Sequence, residues 1–259
     1  MDLGIKGKKA LVCASSKGLG RGCAEALAAE GVDLVLNART AETLEATAAE
    51  IRAKYGVTVT TVAADIASAE GQAAVIETAK NVDILVNNAG GPPAGKWTDW
   101  DREDFIAALD ANMLAPIALM KALLPQMMDK GWGRVVNITS RSVKAPIAAL
   151  GLSNSARAGL TGYVAGTARQ VAPKGVTINN LLPGNHDTDR IRGMDKKMSA
   201  AQGVPVEEYT AARVAQNPTG RDGTAEEFGA ACAFLCSQHA GYIVGQNILL
   251  DGGMLNATL

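Results

Sequence analysis

The sequence KALVCASSKGLG, residues 9–20, decides the fold of this chain. Its first half belongs to a short apolar run, Ala10–Ala14, which is typical of a buried strand. Its second half is a glycine-rich turn that leads into an alanine-rich helix over Leu19–Glu30. Glycine lets the backbone approach a pyrophosphate, and the helix N-terminus offers N–H donors. The turn therefore predicts a dinucleotide site, although a tight turn without a ligand can have the same residues.

Strand-like and helical stretches alternate outward from this turn. The predicted strands are Ala10–Ala14, Val32–Leu36, Val57–Ala63, Val82–Val86, Arg134–Ile138, Val176–Leu181 and Gln246–Leu250. The predicted helices are Leu19–Glu30, Glu42–Lys54, Ser68–Lys80, Asp101–Lys130 and Gly151–Val171. This alternation predicts one α/β domain over residues 1–259, with a doubly wound parallel sheet and helices on both faces. The charged stretch at about 185–217 has no strand pattern and is predicted to be a substrate lid.

Composition narrows the possible partners. The formal charge is −1 and aromatic residues make up 4% of the chain, which disfavours nucleic acid and anionic membranes as partners. No apolar run approaches membrane-spanning length, and the short polar N-terminus is not a signal peptide. The four cysteines have no disulfide pattern, which indicates a reducing cytoplasm.

The end of the second strand discriminates between the two nicotinamide dinucleotides. Sites for NAD(H) usually place an acid there, but this chain has Asn37, Ala38 and Arg39. Arg39 and Lys17 together suit a 2′-phosphate, so NADP(H) is predicted over NAD(H). Asp65, after the third strand, is placed to accept a hydrogen bond from the adenine amino group.

Several motifs resemble those of the short-chain dehydrogenase/reductase family, in its 3-oxoacyl-acyl-carrier-protein reductase-like branch. They are Asn-Asn-Ala-Gly at 87–90, Gly-Arg-Val-Val-Asn-Ile-Thr-Ser at 133–140, Pro183-Gly184 with Thr188, Pro-Thr-Gly-Arg at 218–221, and Val-Gly-Gln at 244–246 with Asp-Gly-Gly at 251–253. The resemblance implies a Rossmann fold with seven parallel strands and a homodimer or homotetramer. The residues expected to bind the cofactor are Ala14, Ser16, Lys17, Gly18, Leu19, Gly20, Arg39, Asp65, Ile66, Asn87, Ala89, Gly90, Arg157, Pro183, Gly184 and Thr188.

The resemblance also assigns a catalytic set of Asn, Ser, Tyr and Lys. Asn112 and Ser140 match the first two, but Ser153 stands for the tyrosine and Arg157 for the lysine. A spacing of four keeps these two on one helical face. A serine is a far weaker acid than a phenol of pKa about 10, and a guanidinium does not relay protons.

Because the phenol is missing, the identity of the proton donor is not assigned by the resemblance. Pro116 lies four residues after Asn112 and cannot donate to the Asn112 carbonyl. We hypothesise that a water ordered by Asn112, Ser153 and Arg157 supplies the proton; the alternative is that Pro116 merely bends its helix. Other candidate proton donors are His186, Tyr209 and Lys144. Tyr163 is on the same helix as Ser153, but its offset of ten residues points it away from the site.

The sequence as a whole predicts an NADP(H)-dependent oxidoreductase that reduces a ketone, for example a 3-oxoacyl group, to an alcohol. In this interpretation Ser140 orients the carbonyl and Arg157 holds the nicotinamide ribose. Two alternatives stay open: a cofactor-binding protein without turnover, and an enzyme of non-redox chemistry such as elimination. No metal site is predicted, because Cys232 and Cys236 lack further ligands nearby. The lid cations Arg190, Arg192, Lys196 and Lys197 are balanced by Asp187, Asp189, Asp195, Glu207 and Glu208, which predicts a solvated face.

Overall fold

Seven strands form one parallel sheet in the computed structural model, which describes residues 1–258. Their order across the sheet is β3-β2-β1-β4-β5-β6-β7. The strands are β1 Lys9–Val12, β2 Asp33–Ala38, β3 Val59–Ala63, β4 Ile84–Asn87, β5 Gly133–Ile138, β6 Val176–Pro183 and β7 Asn247–Leu250. Chain order reverses between β1 and β4, which opens a crevice at the carboxyl edge. The prediction of a seven-stranded doubly wound sheet is confirmed.

Nine helices surround the sheet in the described part of the chain. They are α1 Gly18–Ala29, α2 Ala41–Tyr55, α3 Ala69–Thr78, α4 Arg102–Leu109, α5 Ala115–Asp129, α6 Gly151–Val171, α7 Asp189–Gln202, α8 Val206–Val214 and α9 Ala225–Leu235. Helices α1, α2 and α9 bury their apolar sides on one face, and α3, α5 and α6 on the other. Successive residues of β1 contact opposite faces, because side chains alternate along a strand.

The long helix predicted over Asp101–Lys130 is interrupted. Between α4 and α5 the residues Asp110–Leu114 form a π-helical turn, in which the Ala115 N–H donates to the Asp110 carbonyl. Pro116 follows at the start of α5, where it has no N–H to continue the regular pattern. The predicted helix is therefore present as one continuous stretch, but its regular pattern is interrupted around Asn112.

This same stretch contradicts the expectation that no apolar run approaches membrane-spanning length. By length and composition alone, Arg102–Asp129 is apolar enough to cross a membrane. An 18-residue window within it has a mean hydropathy of 1.5. Leu119, Met120 and Met127 are fully buried in the core, so packing under the sheet accounts for the apolar side. The prediction that no run reaches this length is wrong, because α4 and α5 continue as one stretch.

Helix α9 lies outside the predicted elements, although its start has a clear local signal. The Thr224 side chain accepts from the Glu227 N–H, and the Glu227 carboxylate accepts from the Thr224 N–H, which forms a capping box. The helix packs closely on α1, since a Cβ on Gly229 would lie 2.2 Å from the Gly22 carbonyl oxygen.

Four asparagines form a hydrogen-bonded ladder across the sheet. The Asn87 amide donates to Asn137, Asn137 to Asn180, and Asn180 to Asn247, over distances of 2.7–3.1 Å. These residues are paired in register on β4, β5, β6 and β7. The ladder supplies partners to polar side chains inside the sheet and fixes the alignment of strands that end at the crevice.

Candidate active site

A cleft of about 1580 Å³ lies along the carboxyl edge of the sheet. This volume exceeds the 300–1,000 Å³ typical of a site for one small ligand. Loops after β1 to β6 line it together with α7 and α8. It therefore has room for a dinucleotide and a second molecule.

The glycine-rich turn forms one wall of this cleft. Ala14 and Gly18 have positive φ angles of 48° and 57°, and a Cβ on Gly20 would lie 2.2 Å from the Ala14 carbonyl oxygen. Helix α1 begins at Gly18 with no side-chain cap at Lys17 and no acid in its first turn. Its N–H groups are available to an anion, so the turn fits a pyrophosphate.

Two exposed cations line the cleft beyond this turn. Arg39 follows β2 and forms no ion pair among residues 1–258, whereas Lys17 lies 3.9 Å from Asp189. Asp65, after β3, accepts from the Ala67 N–H through one carboxylate oxygen. This end therefore combines positive charge with a hydrogen-bond acceptor, as a 2′-phosphoadenosine requires.

Ser140 lies at the opposite end, directly after β5. Its Oγ accepts from the Ser142 N–H at 3.1 Å, so a backbone group already occupies one lone pair. The hydroxyl hydrogen remains available to donate to an oxygen in the cleft. Sequence analysis did not single out Ser142, whose amide orients this hydroxyl.

Ser153 and Arg157 lie one turn apart on α6, and both line the cleft near Ser140. The Arg157 guanidinium is 7% exposed and donates to the Ile138 carbonyl at 2.7 Å. It also reaches the Ala89 carbonyl at 3.5 Å. Burial, followed by the nearby charge of Arg190, lowers the pKa of Arg157 to about 10.

Most of the predicted cofactor residues line the cleft. They are Ala14, Ser16, Lys17, Gly18, Leu19, Arg39, Asp65, Ile66, Ala89, Gly90, Arg157, Pro183, Gly184 and Thr188. Thr188 also caps α7 and lies across the cleft from Gly18, with 3.5 Å from its Cγ2 to a Cβ placed there. Thus the turn and the lid face each other.

Three predicted residues do not line the cleft. Gly20 lies behind the turn, and the Asn87 amide donates to Asn137 within the asparagine ladder. Asn112 lies in the π-helical turn, one residue from Ala111 on the cleft wall. The Asn112 Oδ1 is buried and has no hydrogen-bond partner among residues 1–258.

Comparison with known proteins decides the family. The family model described as enoyl-(acyl carrier protein) reductase matches residues 13–255. The chain belongs to the short-chain dehydrogenase/reductase family. A 3-oxoacyl-acyl-carrier-protein reductase FabG from Aquifex aeolicus is 34% identical over 98% of this chain and 100% of its own length.

Two solved structures of similar proteins have the same fold. L-sorbose reductase from Gluconobacter frateurii, complexed with NADPH and L-sorbose, superposes with a TM-score of 0.95 at 31% identity, covering 99% of this chain and 100% of that one. A 3-oxoacyl-(acyl-carrier-protein) reductase from Agrobacterium tumefaciens with NADP bound gives 0.87 at 30% identity, covering 97% and 95%. The similarity of this short-chain dehydrogenase/reductase to both structures thus extends over nearly all of the residues compared.

The other candidate proton donors differ in position. His186 is buried, its ring packs edge-on against Phe228 at 5.2 Å, and burial lowers its pKa. Tyr209 on α8 lines the cleft, whereas Tyr163 packs against the core and Lys144 is outside the cleft lining. Of these four, Tyr209 and His186 border the cleft, and His186 already has a packing role.

The lid charges form the solvated face that the sequence predicts, with the exception of Asp195. Asp195 is buried and bonds to Arg213, which also bonds to Asp222, so the three residues tie α7 and α8 to the loop before α9. Arg190 turns toward the cleft and donates to the Gly91 carbonyl at 3.2 Å. The prediction is wrong for Asp195, whose carboxylate is buried against Arg213, whereas Arg190 stays exposed.

Within residues 1–258 no group of three or more His, Cys, Asp or Glu side chains is arranged to hold a metal ion. Cys232 and Cys236 are fully buried with Cys23 between α1 and α9. Burial and mutual hydrogen bonds raise their pKa values well above the usual range. These thiols belong to the core.

Proposed function

We propose that this short-chain dehydrogenase/reductase reduces a ketone to an alcohol with NADP(H) as cofactor. The observation that carries the proposal is the continuity of one cleft, from the open N-terminus of α1 to the Ser140 hydroxyl. The relatives support it, since they include FabG reductases and a reductase solved with NADPH and a ketose. The 3-oxoacyl group and other ketones are both compatible with the site.

Each part of the cofactor has residues suited to it. The N–H groups of Gly18 and Leu19 would bind the pyrophosphate, and Lys17 and Arg39 the 2′-phosphate. Asp65 and Ile66 would hold the adenine, and Ala89 and Gly90 would pack on the cofactor beyond it. Pro183, Gly184 and Thr188 would contact the nicotinamide, and Arg157 its ribose.

NADPH, when bound, supplies the hydride. Ser140 donates a hydrogen bond to the carbonyl oxygen and stabilises the negative charge that develops there. Asn112 supports a water that Ser153 and Arg157 help to order, and this water gives the proton. Tyr209 is the alternative donor that the cleft offers.

Ser140→Ala tests this role directly. We expect kcat for NADPH-dependent ketone reduction to fall about 10²-fold, because one donor to the oxyanion is lost. The NADPH dissociation constant should stay within about twofold. Ser155→Ala is the matched control, since that exposed hydroxyl bonds to its own helix at Gly151.

Two outcomes would contradict the proposal. If the protein binds NADPH tightly but consumes none with a panel of ketones and 3-oxoacyl thioesters, it is a cofactor-binding protein without turnover. If Ser140→Ala reduces ketones at the unaltered rate, the hydroxyl does not act on the substrate.

The proposal extends to assembly and compartment. We infer a homodimer or homotetramer, because Leu114 in the π-helical turn is exposed beside Ile117, Ala118 and Ala122 of α5. We place the enzyme in the cytoplasm, where the four free cysteines would stay reduced. We assign it neither nucleic acid nor membrane as a partner, since its net charge is close to neutral.

A further inference from the structure

Two arginines meet at the loop that follows β4. Arg157 approaches the Ala89 carbonyl from α6, and Arg190 donates to the Gly91 carbonyl from α7. A Cβ on Gly91 would lie 2.5 Å from Arg190 Nη2, so this guanidinium lies directly against the glycine backbone. The two anchoring carbonyls are two residues apart, which brings both cations to one place in the cleft.

Neither guanidinium has a carboxylate partner among residues 1–258. Two other arginines on the same cleft do have such partners, since Arg192 bonds to Asp187 and Asp189, and Arg213 to Asp195 and Asp222. Arg39 and Arg141 resemble Arg157 and Arg190 in having none among the described residues, but they are not paired with a second arginine at one loop. Arg157 is buried, and a buried cation without a counter-ion is costly; the like charge of Arg190, which is itself exposed, adds to that cost. The lowered pKa of Arg157 has these two causes, burial first and Arg190 second.

We propose that the substrate carries a carboxylate, which binds between Arg157 and Arg190 beside Ser140; this inference rests on the proposed function. A planar carboxylate matches the fork of N–H donors on a guanidinium. It would neutralise the charge that the protein itself leaves uncompensated. The substrate class is then an oxo acid.

The position of the pair favours a substrate anion over the cofactor phosphates, and the Arg157 guanidinium has enough N–H groups to hold the nicotinamide ribose as well. The cofactor phosphates have their own sites at the α1 N-terminus and at Lys17 and Arg39. Arg157 lies instead against Ile138, two residues before Ser140, at the reacting end of the cleft. The walls there are apolar and include Ile147, Leu150, Met194 and Met198. The site thus suits a carboxylate joined to an apolar body.

The chemistry at the carbonyl is unaltered by this assignment. Hydride adds to the carbonyl carbon, the carbonyl oxygen takes one proton, and NADPH becomes NADP⁺. The carboxylate is not consumed. It holds the oxo group against Ser140 and thereby supplies orientation in a site without the family's tyrosine.

Paired probes test the inference on the NADPH-loaded protein. Benzoylformate and methyl benzoylformate share one ketone and differ in charge. We expect kcat/KM for the acid to exceed that for the ester at least tenfold. Arg190→Met should lower kcat/KM for the acid at least tenfold and thereby remove this preference. Arg192→Met is the matched control on the same helix, and it should retain the preference.

A second readout does not depend on turnover. Benzoate should bind the NADPH-loaded protein at least tenfold more tightly than benzamide, and Arg190→Met should abolish the difference. If neither ketone is reduced but this difference holds, the anion site stands and the proposed function fails. The inference is overturned if benzoate and benzamide bind equally, if the ester is preferred, or if Arg190→Met weakens NADPH binding and slows both ketones equally.

Discussion

Single residues in this cleft take their roles from the backbone around them. The Ser142 amide orients the Ser140 hydroxyl, and the Ile138 carbonyl fixes Arg157. Ser140 and Arg157 were predictable as site residues, because their motifs have fixed positions relative to strands and helices. Arg190 was not, since its direction depends on how α7 packs against the loop at Gly91. Likewise, the pattern of charges alone did not reveal that Asp195 is buried.

His186 gives a prediction at the residue scale. Burial lowers its folded-state pKa below the usual 6.5, so the unfolded chain takes up a proton first as the pH falls. This histidine therefore contributes stability above about pH 6.5 that is lost at lower pH.

We expect the unfolding free energy to fall less between pH 7.5 and 5.5 in His186→Gln than in the natural protein, measured by urea denaturation. His239→Gln is the control. The same pH dependence in His186→Gln as in the natural protein would refute this role.

At the scale of elements, local sequence signals predicted some features of the fold, whereas other features depend on tertiary packing. The apolar runs predicted all seven strands to within a few residues, because each is covered on both faces. The π-helical turn around Asn112 was not predictable as such, although Pro116 marked the position of a disturbance. Helix α9 had a readable signal in its capping box at Thr224 and Glu227. The asparagine ladder depends on register between strands, and no single segment shows it.

The contact between α1 and α9 gives a prediction at this scale. A methyl group on Gly229 would lie 2.2 Å from the Gly22 carbonyl oxygen, so Gly229→Ala must push the two helices apart. We expect a loss of about 1–3 kcal/mol in the free energy of unfolding. Gly193→Ala on α7 meets no neighbour within 4 Å and should instead gain up to about 1 kcal/mol. Denaturant titrations measure the free energy of unfolding of both variants, and equal stability of the two would contradict this packing.

For the whole molecule, the exposed side of α5 predicts association. Leu114 is 45% exposed and borders a shallow depression with Ile117, Ala118 and Ala122 around Lys121. Apolar surface of this kind is typical of a contact between subunits. We expect sedimentation to show a dimer or tetramer. Ala118→Glu should shift the distribution of species toward smaller oligomers. Ala49→Glu, on the exposed side of α2, should leave it unchanged. A monomeric natural protein would contradict the expectation.

The whole fold was predictable because the alternation of strands and helices, the glycine-rich turn and the family motifs all agree. Substrate choice was not, since it depends on how α7 and α8 close over the cleft. The central claim is that this cleft binds a dinucleotide whose 2′-phosphate lies between Lys17 and Arg39.

Fluorescence titration of the purified protein with NADPH and NADH tests this claim most directly. We predict that NADPH binds at least tenfold more tightly than NADH, and that Arg39→Ala removes most of this preference. A protein that binds neither dinucleotide, or that binds NADH as tightly as NADPH, would contradict the account.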